Sequence, residues 1–240
     1  MPRASGHDLH RRLKARFGER PFPAACTALA AGAAVAIGAC GGGGGGSPPP
    51  PTPPPPFTSV TQVRVSQAST FSAGCDGVAA TGTLYTNTAA EPYVVISPTS
   101  PMNLVAAWQQ NRWSDGGAQG LNLAASTDGG TTWTLSNAAF SRCTGGNPAN
   151  GGDYARASDV WITFSPNGVV YALSLSFTGG ILATGSTSAM VVAHSADGGV
   201  TWSVPHALIA DGATAFNDKG SITADSTNAS YVYAVWDRPT

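Results

Sequence analysis

Basic residues are scarce outside the first twenty positions of this 240-residue chain. Six of its twelve lysines and arginines lie in residues 1–20, which leaves six basic residues against eleven acidic ones in the remainder. A nucleic-acid partner needs clustered lysine and arginine to displace counterions from phosphates, so the composition argues against one. The contrast between a basic head and a mildly acidic body indicates targeting instead.

Helical periodicity, metal-ligand spacing and catalytic motifs are also missing. From Phe57 onward no stretch combines a 3.6-residue apolar period with helix caps. His194 and His206 are isolated and lack the spacing of metal ligands. No glycine-rich phosphate loop joins a strand to a helix, and no Ser/His/Asp arrangement is evident. The sequence therefore predicts neither a metal nor another cofactor.

The first 39 residues have the pattern of a signal peptide. After the basic head comes a 16-residue uncharged run, which is short for a membrane-spanning helix of roughly 20 residues. It ends in Ile-Gly-Ala-Cys at residues 37–40, which resembles a lipobox, the bacterial motif whose cysteine receives lipid after cleavage. The alternatives are an ordinary leader that happens to contain Cys40 and a twin-arginine signal at Arg11 and Arg12.

Residues 41–56, GGGGGGSPPPPTPPPP, have the composition of a tether. The glycine run is a flexible coil and the proline run a stiff polyproline II spacer, and neither buries apolar surface. A lipid on Cys40 would then anchor a domain that the tether holds away from the membrane. The sequence predicts an exported, membrane-anchored lipoprotein of the bacterial cell envelope, with a signal peptide at 1–39, a lipidated cysteine and linker at 40–56, and a folded domain at 57–240.

Cys75 and Cys143 are the two thiols expected in the exported domain, because Cys26 lies in the leader and Cys40 would carry lipid. Outside the cytoplasm an even pair is expected to oxidise. We predict a disulfide between Cys75 and Cys143; the alternative is two separate buried thiols.

Short apolar runs that alternate with a period of two predict an all-β domain. The clearest strands are residues 60–65, 93–97, 103–110 and 168–175. Two segments that begin 69 residues apart share the pattern S-x-D-x-G-x-T-W, known as an Asp box. The residues taken as structural are Ser126, Asp128, Gly130 and Trp133 in the first box and Ser195, Asp197, Gly199 and Trp202 in the second.

The Asp boxes have the chemistry of hairpin turns. Glycine accepts a positive φ, the aspartate accepts hydrogen bonds from turn amides, and the tryptophan packs over the hairpin. The flanks also repeat, as strand–turn–strand, in residues 91–108, 158–175 and 217–236. Four antiparallel strands per unit predict β-propeller blades, of which about two and a half are present. Propellers close with roughly 4–8 blades, so we also expect the chain to be a fragment.

Tandem Asp boxes in an exported β protein resemble the sialidase (neuraminidase) superfamily, also called BNR-repeat proteins, over residues 91–240. The resemblance implies a six-bladed propeller and exo-α-sialidase activity, a glycoside hydrolysis that uses an arginine triad, an aspartate acid/base and a tyrosine nucleophile. By this resemblance, Arg112 matches one triad arginine and Asp115 the acid/base. Residues 91–95, EPYVV, stand where the family carries Arg-Ile-Pro, so one arginine is missing.

Further candidates lie elsewhere in the domain. Tyr154 and Arg156 belong to a long polar loop that either contacts a ligand or is a surface loop pinned by Cys143. Arg112 and Arg238 each follow the second strand of a unit and either bind a ligand or pair with an acid. Three acids, Glu91, Asp159 and Asp218, recur near the first strand of successive units and bind a cation, sugar hydroxyls or backbone amides.

Two functions fit these observations. The first is a sialidase-like glycoside hydrolase acting on terminal glycans in the full-length protein, which the placement of Arg112 and Asp115 favours. The second is a non-catalytic propeller of the cell envelope that binds a glycan or protein partner, which the missing arginine favours. Fold alone does not decide between them.

Overall fold

The computed structural model describes residues 61–79 and 81–240. The predicted signal peptide, Cys40 and the linker at 41–56 lie outside these residues. The described part contains ten strands and a short 3₁₀ helix, Arg142–Thr144. The strands are β1 (Leu84–Ile96), β2 (Leu104–Trp113), β3 (Ala118–Ser126), β4 (Thr134–Leu135), β5 (Arg156–Phe164), β6 (Val170–Thr178), β7 (Thr187–Ser195), β8 (His206–Asp211), β9 (Asp218–Ala224) and β10 (Val232–Asp237).

All pairings between these strands are antiparallel, and they follow the predicted repeat. Strands β1–β4 form one four-stranded unit and β5–β8 a second, while β9 and β10 form the first two strands of a third. A single pair, Ala118 with Ala157, joins the first two units into one continuous sheet. For the described residues, the prediction of an all-β domain with about two and a half four-stranded units is confirmed.

One predicted strand is wrong. Residues 61–65 have no strand structure, although their sequence alternates. The side chain of Val65 is half-buried and packs against Ala106, Trp108 and Ala124 of the first unit. Packing on the face of a sheet therefore buries this apolar side chain without any backbone pairing to a neighbouring strand.

Each Asp box forms the turn between the third and fourth strands of its unit. In the first box, Ser126 Oγ donates to Asp128 and accepts from the amide of Gly130 at 2.9 Å. Asp128 in turn accepts from the amide of Thr132 at 2.9 Å and from its hydroxyl at 2.7 Å. The indole of Trp133 donates to the carbonyl of Gly130 at 2.9 Å. Hydrogen bonds within the box thus pair the polar groups of the turn.

The second Asp box repeats this turn and also contacts the first unit. Ser195, Asp197 and Thr201 reproduce the hydrogen bonds of the first box. The indole of Trp202, however, donates to Ser136 Oγ at 3.2 Å. The side chain of Asn103, at the start of β2, donates to the carbonyl of Gly198 at 2.9 Å. The second box is therefore part of the contact between units.

The main apolar core lies between the first two units. It is formed by fully or nearly fully buried side chains from β2, β3, β5, β6 and β7 and from the loop after β4, among them Val105, Leu121, Phe140, Ile162, Val170 and Val191. A second cluster, including Leu173, Met190, Phe216 and Ile222, joins the second unit to β9. Burial of these side chains, rather than the single bridging strand pair, holds the units together.

The structure links Cys75 and Cys143 by a disulfide, with their Cα atoms 4.9 Å apart. The bond attaches the segment before β1 to the 3₁₀ helix between the first two units. Arg142 strengthens this attachment, because its guanidinium donates to the carbonyl of Asp76 at 2.8 Å and to the carboxylate of Asp153 at 2.6 Å. Within residues 61–79 and 81–240 no helix has the length and apolar character to cross a membrane.

The aspartates of the Asp boxes should make the free energy of unfolding fall at acid pH. Hydrogen bonds from the amide and hydroxyl of Thr132 lower the pKa of Asp128 to about 2. At Asp197 desolvation opposes ionisation, but hydrogen bonds from Ser195 and Thr201 outweigh it and also give a pKa of about 2. Because an unfolded aspartate titrates near 3.9, this stabilisation is full above about pH 4 and is lost as the pH falls towards 2.

We expect an Asp128→Asn/Asp197→Asn variant to lose part of this acid sensitivity. Urea denaturation of the wild type should show a free energy of unfolding that falls between pH 4 and pH 2. The variant should be less stable than the wild type at pH 6, and its stability should change less across the acid window. Equal slopes for both proteins between pH 4 and pH 2 would contradict the assignment.

Candidate ligand-binding cleft

The first strand of each unit is broken at the same position by a β-bulge. The pairing register shifts between Ala90 and Tyr93 in β1, between Ser158 and Trp161 in β5, and at the matching point of β9 and β10. Each bulge has a charged residue with left-handed backbone, namely Glu91 (φ 52°), Asp159 (φ 50°) and Lys219 (φ 49°). Such conformations are costly for residues other than glycine, and bulges serve to redirect side chains near functional sites.

The bulges correct one prediction. The sequence repeat suggested that Asp218 is equivalent to Glu91 and Asp159. In the structure Asp218 lies one residue before the bulge, in register with Asp237, and Lys219 takes the equivalent position. All three strands carry the same bulge, so the offset arises because the alignment followed the acidic residue type and not the pairing register. The three bulges therefore present two acids and a base, not three acids.

A cleft of about 590 Å³ lies where β2, β5, β6 and β9 approach one another. Its apolar lining includes Leu175, Phe177, Ile181 and Phe216. Its charged lining is made of three basic and three acidic side chains: Arg112, Arg156, Lys219, Asp115, Asp159 and Asp218. An apolar surface with a few convergent polar groups is the usual character of a small-ligand site.

Arg112 is paired with Glu91 at the edge of the cleft. The two side chains lie 3.3 Å apart and are 33% and 50% exposed, respectively. Between them lies Gln109, which is fully buried. Its amide nitrogen donates to Glu91 at 2.6 Å, and its amide oxygen accepts from Arg112. Gln109 thus holds the acid and the base in one arrangement.

The same glutamine connects the first unit to the second. Its nitrogen also donates to Ser158 Oγ at 3.1 Å, and Ser158 donates to Asp159 Oδ1 at 2.6 Å. Asp159 Oδ2 accepts no hydrogen bond from any described residue, and lies 3.6 Å from Nζ of Lys219. Hydrogen bonds and an ion pair thus run continuously from Arg112 to Lys219 and join charged groups of all three units.

Asp115 and Arg156 form a second, more buried pair in the cleft. Arg156 donates to Asp115 Oδ1 at 2.8 Å and to the carbonyl of Gly116 at 2.7 Å, and lies 4.8 Å above the ring of Trp113. Hydrogen bonds from Arg156 and then from Thr81 lower the pKa of Asp115. Asp115 is therefore ionised at neutral pH, in a position to orient Arg156.

Of the five predicted ligand or acid/base residues, three line the cleft and two do not. Arg112, Asp115 and Arg156 are the three. Tyr154 is half-buried against the main core, where burial and then Asp153 raise its pKa. Arg238 forms a bidentate ion pair with Asp211, in which Nε donates to Oδ2 at 2.9 Å and Nη2 donates to Oδ1 at 2.7 Å. Neither Tyr154 nor Arg238 is among the residues that line the cleft.

Four further residues of the cleft and its network were not predictable as site residues from the sequence: Gln109, Ser158, Thr81 and Lys219. The one local signal was the amide run Gln109-Gln110-Asn111 within an otherwise apolar strand, because buried amides require hydrogen-bond partners. Thr81 and Lys219 carried no signal, since their partners lie far away in the chain. The described residues include no group of three or more His, Cys, Asp or Glu side chains placed to hold a metal ion.

No protein-family model and no curated protein matches this chain. Among solved structures it is similar to Hadza microbial sialidase Hz136, at 18% identity and a TM-score of 0.39, over 55% of this chain and 29% of that chain. It is also similar to the leech intramolecular trans-sialidase, at 18% identity and a TM-score of 0.32, over 55% of this chain and 17% of that one. A protein of unknown function from Dyadobacter fermentans matches at 19% identity and a TM-score of 0.35, over 49% of this chain and 35% of that one. The chain thus spans less than a third of either sialidase, and its activity has to be inferred from the cleft.

Proposed function

We propose that this chain is a glycan-binding module of a cell-envelope lipoprotein, anchored at Cys40 and without hydrolytic activity of its own. The observation that supports binding is the cleft in which donors and acceptors from three successive units converge. Sugar hydroxyl groups both donate and accept hydrogen bonds, so a cleft with alternating basic and acidic groups suits them. The apolar lining beside the charges gives the ring carbons a surface to pack on.

The continuous network supports a role in recognition. Glu91, Asp159 and Lys219 occupy left-handed positions that cost free energy unless the surrounding structure maintains them. Buried Gln109 and Ser158 fix the orientation of Glu91 and Asp159 before any ligand arrives. Side chains fixed in this way lose little conformational entropy on binding, which favours affinity for a ligand of matching shape.

A glycoside hydrolase of the sialidase type is the second candidate. The observation in its favour is that Arg112 and Asp115 both line the cleft. Against it, a general acid must carry a proton at the working pH, whereas Arg156 lowers the pKa of Asp115. Arg112 is also paired with Glu91, whose negative charge would lie beside any sugar carboxylate bound there. Binding without turnover is therefore the better supported function.

We expect Arg112→Ala to weaken glycan binding by about tenfold or more, since it removes a charged hydrogen-bond donor from the cleft. The matched control is Arg64→Ala, because Arg64 is exposed and does not line the cleft. Glycan-array screening of the purified full chain identifies a ligand, and titration calorimetry measures its affinity for the three proteins.

A fluorogenic sialoside assay on the same wild-type protein distinguishes the two candidate functions. We expect no turnover above the rate without protein. Turnover that is abolished in Asp115→Asn would establish the hydrolase and contradict the proposal. Failure of the folded wild type to bind any sugar on the array would also overturn it.

A further inference from the structure

We infer that the cleft selects an uncharged, polyhydroxylated sugar and discriminates against sugars that carry a carboxylate. This inference rests on the proposed glycan-binding function and specifies its ligand class. It runs against the resemblance to sialidases, whose substrates are anionic. Its basis is the charge balance of the described cleft residues.

Every basic side chain that lines the cleft has an acidic partner. Glu91 lies 3.3 Å from Arg112, Asp115 lies 2.8 Å from Arg156, and Asp159 lies 3.6 Å from Lys219. A ligand carboxylate could reach one of these cations only beside an acid that is already there. Because like charges placed together in an interface are strongly unfavourable, each pair acts against an anionic ligand.

Two acids at the cleft retain the capacity to accept hydrogen bonds from a ligand. Asp218 lines the cleft, and its Oδ1 accepts from the amide of Lys219 at 2.9 Å, which leaves Oδ2 without a donor among the described residues. Glu91, at the edge of the cleft, accepts from Gln109 and pairs with Arg112, but it is half exposed and its carboxylate can accept a further hydrogen bond. A carboxylate oxygen accepts hydrogen bonds and cannot donate when ionised, so these groups suit ligand hydroxyls and not a ligand carboxylate.

Glu91 is the residue through which this selectivity can be changed. It is half exposed, so Glu91→Gln preserves the fold while removing the charge that neutralises Arg112. The amide oxygen that replaces the carboxylate still accepts a hydrogen bond from Gln109. The variant therefore presents an uncompensated guanidinium in an otherwise unchanged cleft.

The test compares neutral sugars with anionic counterparts that carry a carboxylate. The purified full chain is titrated with methyl glucoside against methyl glucuronide, methyl galactoside against methyl galacturonide, and lactose against 3'-sialyllactose. We expect the wild type to bind the neutral member of at least one pair about tenfold more tightly than its anionic counterpart. In Glu91→Gln the ratio of affinities should shift towards the anionic member by about tenfold.

Asp225→Asn is the matched control, because it changes the net charge by the same amount as Glu91→Gln. Asp225 lies in the turn after β9 and is not among the residues that line the cleft. The control should leave the ratio unchanged. A wild type that prefers the anionic members, or a ratio that shifts equally in the control, overturns the inference while glycan binding stands. Absence of binding to any of the six sugars and to the glycan array overturns the proposed function, and this inference with it.

Discussion

Gly199→Ala should destabilise the protein by about 2–5 kcal/mol, whereas Gly130→Ala, the same change in the first Asp box, should cost about 1–2 kcal/mol. The two glycines hold the same place in the repeat and have similar backbone conformations, with φ of 91° and 88°. Each donates its amide to the serine of its box at 2.9 Å. Their surroundings differ.

The difference lies in what a new methyl group would meet. A Cβ at Gly199 would lie 2.5 Å from Val105, which is fully buried in β2, and 3.6 Å from Ala125. A Cβ at Gly130 would have its nearest neighbour at 3.6 Å, in Trp133 of the same box. Both substitutions strain the backbone, but only the first forces apart the contact between the two units.

Chemical denaturation of the wild type and both variants measures the difference directly. The free energy of unfolding should fall clearly further for Gly199→Ala than for Gly130→Ala, and glycan binding by the folded protein should survive in Gly130→Ala. Equal losses would mean that the second box does not pack against Val105 as described. They would leave only the backbone strain that the two positions share.

The two boxes also show which features of the fold are predictable from the sequence and which are not. The boxes were predictable because an eight-residue stretch contains nearly all of the groups that stabilise it. Ser126, Asp128 and Thr132 satisfy one another whatever surrounds them. The four-stranded units were predictable for the same reason, because the apolar alternation within strands and the spacing of the repeats are local patterns. The packing of Gly199 on Val105 depends on how two units meet, and no local pattern encodes it.

The cleft shows the same limit more sharply. Arg112, Asp115 and Arg156 were predicted as site residues, and all three line the cleft. The pairings were not predictable, because the partners are distant in the sequence. Asp115 pairs with Arg156, 41 positions later, and Glu91 accepts from Gln109, 18 positions later. The equivalence of Lys219, and not Asp218, with Glu91 and Asp159 is evident only from the pairing register and the backbone conformation. Charge balance in the cleft follows from these pairings, so composition alone could not predict its ligand.

Removing the disulfide should cost about 2–4 kcal/mol of stability. The variant is Cys75→Ser/Cys143→Ser, in which both sulfurs of the bond are replaced so that neither partner is left as a free thiol. The bond closes a loop with a sequence separation of 68 residues, and long loops lose much conformational entropy in the unfolded chain when they are cross-linked. Arg142 continues to bind the carbonyl of Asp76 and the carboxylate of Asp153, which keeps the loss from being larger.

The loss should extend to the cleft, because the disulfide holds one of its walls. Val78, Ala79 and Thr81 follow Cys75 closely in the chain and line the cleft. Thr81 accepts from Arg156 at 3.0 Å and donates to Asp115, so it helps to fix the buried ion pair. Without the bond, amides in residues 72–83 should exchange with solvent faster than in the wild type, while those of β6 and β7 should change little.

Reduction provides the internal control. Dithiothreitol should lower the denaturation midpoint of the wild type to that of the double variant and should leave the variant unchanged. Hydrogen exchange followed by mass spectrometry then locates the change along the chain. If the wild type and variant unfold at the same midpoint under oxidising conditions, the disulfide contributes nothing to stability. If exchange rises evenly through β6 and β7 as well, the bond supports the whole fold and not specifically the wall of the cleft.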